Sequence, residues 1–530
     1  MTETIPVPVW VAAAAALFVI WALLDRLLLP GVRWFLRRRV DRAFDELNKR
    51  LKLRVPAFHR TRRRVLIEML TRDPAVTAAI ESHSRESGRS RNALAREVER
   101  YAREIVPAFN PYLYFRVGYF LARRTVQVLY RVRMGYSDDR SLARIEPGAS
   151  VVFVMNHRSN MDYVIVAYFA AQRSALSYAV GEWARVWPLQ ALVRSLGAYF
   201  VRRDSRNPLY RRVLARYVQA ATAAGVVQAV YPEGGLSRDG RLRRPRLGLI
   251  SYMVSGFDPA GERDLVFVPV GINYDRVLED RTLVRERDSN VAVPRSRAHV
   301  VRTLFGFVRR QAALRLRGRW HRFGYACVSF GTPISMRGWS LRHGIDLRVL
   351  EPDARFEAVE RLGHELLAAI GGTVPVLPVP LVATVFLREA KRPMHELEIK
   401  AKTQALIDEL ETAGAYVHVP RADRDYAVAA GLRMLVLRHF VEESDGLYRA
   451  RPDEVEMLRY YANSIAHHLS GPDPRSGDGD RSGRPQAVGA RGSVVSPGRG
   501  GGESGRAGRE ETAPRTEGEE RGGGRAPPRR

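Results

Sequence analysis

The spacing of apolar and polar positions divides this 530-residue chain into five stretches. Residues 7–24, VPVWVAAAAALFVIWALL, form a run of 18 without a charge. As a helix rising about 1.5 Å per residue, the run reaches about 27 Å, close to the ~30 Å of a bilayer core. Asp25 and Arg26 close it and Arg33, Arg37, Arg38 and Arg39 follow, which predicts a membrane anchor with its start outside and the rest of the chain in the cytoplasm. No basic stretch precedes the run, as a cleaved signal peptide would require. Residues 40 to 135 mix charged and apolar residues at helical spacing, as in RRRVLIEML and RNALAREVERYAREI, and predict a helical subdomain. From Pro147 the texture changes. SVVFVM, GAYFV, VVQAVY, LVFVPV and ACVSFGTP are short apolar runs separated by helical stretches, the signature of an α/β sheet flanked by helices. Residues 341 to 470 return to helical periodicity around VPVLPVPLVATVFL, a Pro-broken run too short to span a membrane. From Gly471 onward aliphatic residues are nearly absent, which predicts a disordered tail. The expected organisation is a membrane anchor (1–30), an N-terminal helical region (31–135), an α/β domain (136–340), a mostly helical C-terminal region (341–470) and the tail (471–530).

Charge and cysteine content narrow the function classes. The net charge is +29, and the tail holds 12 Arg against 9 acidic residues, so all but three of those charges lie before it. A field of that sign attracts nucleic acid, anionic lipid or phosphorylated small substrates. Only five of the 86 basic residues are Lys, and with abundant Ala, Val, Gly and Pro this is also the composition a GC-rich genome encodes. A nucleic-acid reading would need a basic recognition helix, and the candidate region 396–450 is instead acidic, with Glu396, Glu398, Asp408, Glu409 and Glu411. Cys327 is the single cysteine, so neither an internal disulfide nor a cysteine zinc site can form. His467 and His468 lack carboxylate or thiol neighbours at ligand spacing and predict a helix surface, not a metal site.

The candidate chemistry lies where apolar runs end. VVFVMNHRSNMDY places His157 at the end of a strand and Asp162 in the first turn of the next helix. Four intervening residues let the carboxylate reach one imidazole nitrogen, fixing the tautomer and raising the basicity of the other. GAYFVRR ends in Arg202 and Arg203, which suit a phosphate through bidentate hydrogen bonds. VYPEGGLSRDGRLRR supplies Glu233, Gly234, Gly235, Ser237 and Arg238, and its glycines let backbone N–H groups approach an anion. LVFVPVGINYD adds a further strand around Pro269. Each segment alone also reads as a buried strand with a polar loop.

Taken in order and spacing, HRSNMDY, WPLQALVRSLGAYFVRR, PEGGLSRDGRL, FVPVGINYD and VSFGTPI resemble the sequence blocks of the glycerolipid acyltransferases, most nearly the bacterial membrane-bound glycerol-3-phosphate acyltransferases. LRYYANSIAHHL (458–469) resembles part of their C-terminal region. The resemblance implies a mixed sheet flanked by helices and transfer of an acyl group from acyl-CoA or acyl-carrier protein to glycerol 3-phosphate, with no cofactor. It implies His157 as general base and Asp162 as its partner. Arg202, Glu233, Gly234 and Ser237 would shape the glycerol-phosphate site, with Arg203, Gly235 and Arg238 beside them, and Pro269 would lie on the acyl side. Partners would then be membrane lipids and the two substrates, not nucleic acid, at the cytoplasmic face of the cell membrane. The chain departs from the pattern at Leu236, where the family block usually has the Arg assigned to the substrate phosphate. Arg238 or Arg203 would take over that role, or the acceptor would be lysophosphatidic acid or dihydroxyacetone phosphate.

Overall fold

The computed structural model describes residues 61–170, 175–181, 189–202, 205–288, 322–389 and 392–469, with Phe58 and scattered positions between 302 and 317. The apolar run 7–24, Arg203 and the tail from 471 lie outside the described residues.

Eight strands make the central sheet: β1 Arg131–Ser137, β2 Ser150–Met155, β3 Ser177–Val180, β4 Ala198–Phe200, β5 Gln228–Val230, β6 Leu265–Tyr274, β7 Tyr325–Phe330 and β8 Ile334–Ser335. Their order is β1-β7-β6-β2-β5-β3-β4, with β8 also on β6. β6, β2, β5, β3 and β4 run parallel, whereas β7 is antiparallel to β6 and parallel to β1. The sheet is therefore mixed and helices cover both faces, as the fold class expected. All ten residues of β6 are buried, which explains why LVFVPVGINY shows no polar alternation: a central strand covered on both sides has no solvent face. The five apolar runs noted in the sequence became β2, β4, β5, β6 and β7. β1 was missed inside the stretch expected to be helical. Its RVRMGYS pattern exposes charged residues because it lies at the sheet edge, where polar alternation replaces an apolar run.

Before β1, three helices, Arg63–Thr71, Pro74–Ser87 and Arg91–Ile105, form a cap. Pro74–Ser87 starts at Asp73, whose side chain accepts from the N–H groups of Ala75 and Val76. Leu94, Val98, Tyr101, Ala102 and Ile105 form one buried stripe at helical spacing and pack with Leu209, Val213 and Tyr217 of the helix Pro208–Ala223. This cluster fills one side of the sheet, while a second core around Tyr274, Val270 and Met155 fills the other.

After β8 come the helices Met336–His343, Pro352–Thr373, Pro378–Arg388, Glu396–Thr412, Arg424–Leu437 and Val455–Ala462. The Pro-broken run is the helix Pro378–Arg388, buried along Pro378–Phe386, so its uninterrupted hydrophobicity marks the centre of this region. The expected helical character holds, with one addition: β9 Met394–His395, β10 Val441–Ser444 and β11 Leu447–Ala450 make a small antiparallel sheet. His467 and His468 do not stand free on a helix surface. Their Nε2 atoms bond to the carbonyls of Gly371 and Val374 at 3.1 and 3.0 Å, tying the last helical turn to the end of Pro352–Thr373. The described residues as far as Leu469 belong to one packed unit.

Gly240 shows how tightly the C-terminal helices meet the sheet loops. It has φ 90°, and a Cβ there would lie 1.9 Å from the carbonyl oxygen of Tyr460. Gly240→Ala should therefore destabilise the fold by about 3 kcal/mol or more, from a left-handed backbone and a rigid clash together. Thermal or denaturant unfolding checks this, and a surface substitution such as Arg96→Ala should stay within about 0.5 kcal/mol of the parent.

Candidate active site

β2 ends at Met155 and the next helix begins at Met161, so the loop between them must be held without strand pairing. Asn156 does this by imitating a ladder: its side-chain amide donates to the Ile272 carbonyl and accepts the Ile272 N–H, both at 2.8 Å. The following His157 is 2% exposed. Its Nδ1 lies 2.9 Å from Oδ2 of Asp162, the contact that the five-residue spacing predicts. The same Oδ2 accepts the N–H groups of Arg158 (2.8 Å) and Ser159 (3.0 Å), which folds the loop around the carboxylate. Oδ1 accepts the Tyr274 hydroxyl at 2.5 Å. With Asp162 as acceptor on both oxygens, the proton between it and His157 belongs to Nδ1, and Nε2 keeps its lone pair. The imidazole stacks on Tyr231, with ring centroids 4.0 Å apart, and meets the edge of Tyr163 at 5.4 Å. Orientation, tautomer and ring plane are thus fixed by separate contacts, the arrangement a general base needs.

The Glu233–Arg238 loop lies against His157 but differs in role from the sequence reading. Glu233 is buried; its Oε1 accepts the His157 N–H and its Oε2 the Arg243 N–H, each at 2.9 Å. Ser237 donates its N–H to the His157 carbonyl at 3.0 Å, and its hydroxyl is taken up by Gly240 N–H and the Arg241 carbonyl. Both side chains brace the loop on either side of His157. Gly234 adopts φ 69°, and its N–H is already donated to the Tyr231 carbonyl. Gly235 is buried next to it. Leu236 is half-buried against the main core, and Arg238 is partly exposed, 4.0 Å from Glu286.

Arg202 follows β4, three strands from β2 and on the same edge of the sheet, about 14 Å away at ~4.8 Å per strand. Its guanidinium forms a bidentate pair with Glu104 at 2.9 and 2.6 Å, between the rings of Tyr101 and Tyr210. Among the described residues no hydrogen bond or ion pair joins it to the Glu233–Arg238 loop. Pro269 is buried in β6 opposite Val154, and it does not line the apolar cavity near His157.

That cavity, of about 390 Å³, opens beside the loop between β2 and its helix. Asn160 and Tyr163 line it, and Tyr119, Val164, Tyr178 and Leu192 contribute to its largely apolar wall. Its size and lining suit a flexible apolar ligand. Three further residues of the site went unassigned in the sequence. Tyr274 closes the Asp162 network. Glu279 is half-buried and accepts from the Ser159 hydroxyl (2.7 Å) and the Asn160 amide (2.9 Å), with desolvation raising its pKa. Arg158 is buried, donates to the Gly240 carbonyl and lies 5.0 Å over the Tyr460 ring. Tyr274 was within reach of sequence reasoning, as the last residue of a strand whose neighbour carries the base; Glu279 and Arg158 had no pattern to reveal them.

Residues 138–273, which include every residue of the His157–Asp162–Tyr231–Glu233 constellation, match the Acyltransferase family. Residues 305–472 match the glycerol-3-phosphate acyltransferase C-terminal region. The chain over these two matched regions is similar to proteins named glycerol-3-phosphate acyltransferase. The one from Pseudoalteromonas atlantica is 25% identical over 79% of this chain and 53% of its own length. That from Xylella fastidiosa M23 is 26% identical over 81% and 50%, and that from Pseudomonas putida W619 is 29% identical over 61% and 39%. The chain spans about half the length of the curated relatives it matches. The crystal structure of a 1-acyl-sn-glycerophosphate acyltransferase from Thermotoga maritima is 18% identical, covering 58% of this chain and 98% of its own, at a TM-score of 0.26.

Burial raises the pKa of Glu233 from its ordinary 4.5 to about 7, against the lowering effect of its two N–H donors. An acid whose folded pKa is raised favours the fold when protonated. Its stabilising contribution is complete below about pH 4.5 and is lost as pH climbs through about 7. Glu233→Gln removes this titration. Its unfolding midpoint should vary less than the parent's between pH 4.5 and 7; parallel profiles for the two proteins would assign the pH dependence to other groups.

Proposed function

We propose that the chain moves a fatty acyl group from a thioester, acyl-CoA or acyl-carrier protein, to the sn-1 hydroxyl of glycerol 3-phosphate, giving lysophosphatidic acid. The observation that carries this reading is the contact of His157 Nδ1 with Asp162, itself held by the Tyr274 hydroxyl, in a loop that borders an apolar cavity. Nε2 takes the hydroxyl proton as the oxygen attacks the thioester carbonyl. The tetrahedral intermediate then expels the thiolate, which recovers that proton from the imidazolium. Asp162 stabilises the imidazolium in between. The Gly234 N–H is committed to Tyr231, so stabilisation of the oxyanion falls to the Gly235 N–H or Arg238. No covalent acyl-enzyme and no metal is required, and Cys327 is buried in β7, where burial pushes its thiol up to about 12.

Arg238 is our choice for the acceptor phosphate, because it follows Ser237, whose N–H is bonded to the His157 carbonyl. A second reading keeps the chemistry but changes the acceptor to lysophosphatidic acid or dihydroxyacetone phosphate. Two observations favour it: Leu236 packs against the core, and Arg202 is occupied by Glu104. For the donor side, Leu121 both lines the cavity and is exposed, with Phe120 exposed beside it, so an acyl chain could enter from a lipid surface. We therefore place the protein at the cytoplasmic face of the cell membrane, held by residues 7–24 and by basic surface. Among the described residues no helix is long and apolar enough to cross a membrane.

The test is acylation by the purified full-length chain, using palmitoyl-CoA or palmitoyl-carrier protein with each of the three acceptors. Glycerol 3-phosphate should be used in preference. His157→Ala should lower turnover on the order of 10²- to 10⁴-fold. Arg238→Ala should raise the acceptor KM about tenfold or more with little change for the donor. Activity on lysophosphatidic acid alone would replace the acceptor, and near-normal turnover by His157→Ala would remove the proposed base.

A further inference from the structure

We propose that a second cleft, between β1 and the loop that follows the helix Glu396–Thr412, binds a phosphate dianion at a site separate from His157. The cleft has a volume of about 270 Å³ and is lined by Arg131, Arg133, Tyr325, His418, Pro420, Arg421 and Tyr426. Three guanidinium groups converge there, and among the described residues none has a carboxylate partner. The arginines nearby are instead paired: Arg424 with Asp408 and Glu411, and Arg388 with Glu409. The acidic groups closest in sequence are committed elsewhere. Asp423 accepts the Tyr426 N–H at a helix start, and Asp425 accepts from Gln404. Asp275, whose charge is felt by Arg131, is buried and accepts the N–H groups of Tyr325 and Val379.

The groups between the arginines favour an anion rather than a further cation. Arg131 donates to the Tyr426 hydroxyl at 3.2 Å and lies 5.7 Å over the Tyr325 ring, and Arg421 stacks 4.1 Å over Tyr426. The phenol rings hold the guanidinium planes but leave their charge uncompensated. His418 is buried, and its Nε2 has no hydrogen-bond partner. Burial and then the charge of Arg133 push its pKa down to about 4, so the cleft disfavours one more positive group unless a negative one enters. A phosphate dianion supplies that charge and enough oxygens for several forked guanidinium bonds at once.

Strand register separates this cleft from the proposed reaction. Arg131 pairs with Tyr325 and Arg133 with Cys327, so all four side chains share one face of the sheet. Cys327 pairs with Asn273 of β6, which places Asn273 on that face and the next residue, Tyr274, on the other. Tyr274 is the residue that bonds Asp162. The cleft is thus on the opposite face from the Tyr274–Asp162 contact, at the seam between β1, an edge of the sheet, and the C-terminal region. It does not rest on the acyl-transfer reading.

Either a soluble phosphate ester or a phosphomonoester lipid headgroup presents the required dianion, and separate measurements distinguish them. Inorganic phosphate binding to the full-length chain is measured by calorimetry. Sedimentation is measured with phosphatidylcholine vesicles, with and without phosphatidic acid. The paired variant Arg133→Gln, Arg421→Gln should weaken binding roughly tenfold for each guanidinium removed. Arg133→Lys, with its charge kept, should lose less, which separates loss of binding from loss of the fold. Phosphate binding that depends on these arginines supports a soluble ligand. Vesicle binding that needs phosphatidic acid and the same arginines, without phosphate binding, supports a headgroup. Acyl transfer to the acceptor by the paired variant should persist with an unchanged KM. The proposal is overturned if neither probe binds, or if both bind equally well to the paired variant.

Discussion

A fully buried carboxylate governs the architecture of this site. Asp162 is 0% exposed, and an ionised group so placed is tolerated only if its oxygens are satisfied. Four donors meet it: His157 Nδ1, the N–H groups of Arg158 and Ser159, and the Tyr274 hydroxyl. Three come from its own loop and one from the end of β6, 112 residues along the chain. The pairing of β2 with β6 is therefore what brings the fourth donor into place, and Asn156 extends that pairing past the end of the strand. Once these bonds form, the histidine has little choice of tautomer or rotamer. The chemistry is a consequence of satisfying the charge.

The C-terminal region completes this constraint. Arg158 reaches from the loop to the Gly240 carbonyl and the Tyr460 ring, and Asn463 donates to the Asp239 carbonyl at 2.8 Å. Tyr461 accepts the Val277 N–H, donates to Asp280 and receives Arg438, whose guanidinium lies 2.6 Å from Asp280. Tyr460, Tyr461 and Asn463 all lie within LRYYANSIAHHL. That segment holds the two loops that frame His157, so the matches to two families describe parts of one site. The opposite face of the seam, at the arginine cleft, is where an anion would press on the same contact between sheet and C-terminal helices.

What could be read in advance follows from how local each signal is. Apolar runs announced the buried strands β2, β4, β5, β6 and β7, and the five-residue His157–Asp162 spacing announced the hydrogen bond, because both depend on nearby residues. The β10–β11 hairpin carried the local signal Asp445-Gly446, both left-handed in the structure, and was overlooked inside a region of helical periodicity. Arg202 illustrates the limit. Two adjacent arginines after a strand suit a phosphate, but the carboxylate of Glu104 comes from a helix whose packing no local pattern reveals. Glu233 and Ser237 were expected to shape the glycerol-phosphate site, yet in the structure a Glu233 oxygen accepts the His157 N–H and the Ser237 N–H donates to the His157 carbonyl. Role depends on what faces a side chain, and that is set by tertiary contacts.

The most direct test of the account is the turnover of Asp162→Asn with glycerol 3-phosphate. An amide at this position presents a donor where the carboxylate accepts on both oxygens, so it disturbs the histidine tautomer with minimal change in volume. The account predicts that kcat falls by about a hundredfold or more, with donor KM little changed and the variant folded. A folded Asp162→Asn protein that turns over at close to the parent rate would contradict it, since His157 would then act without the charge around which the site is built.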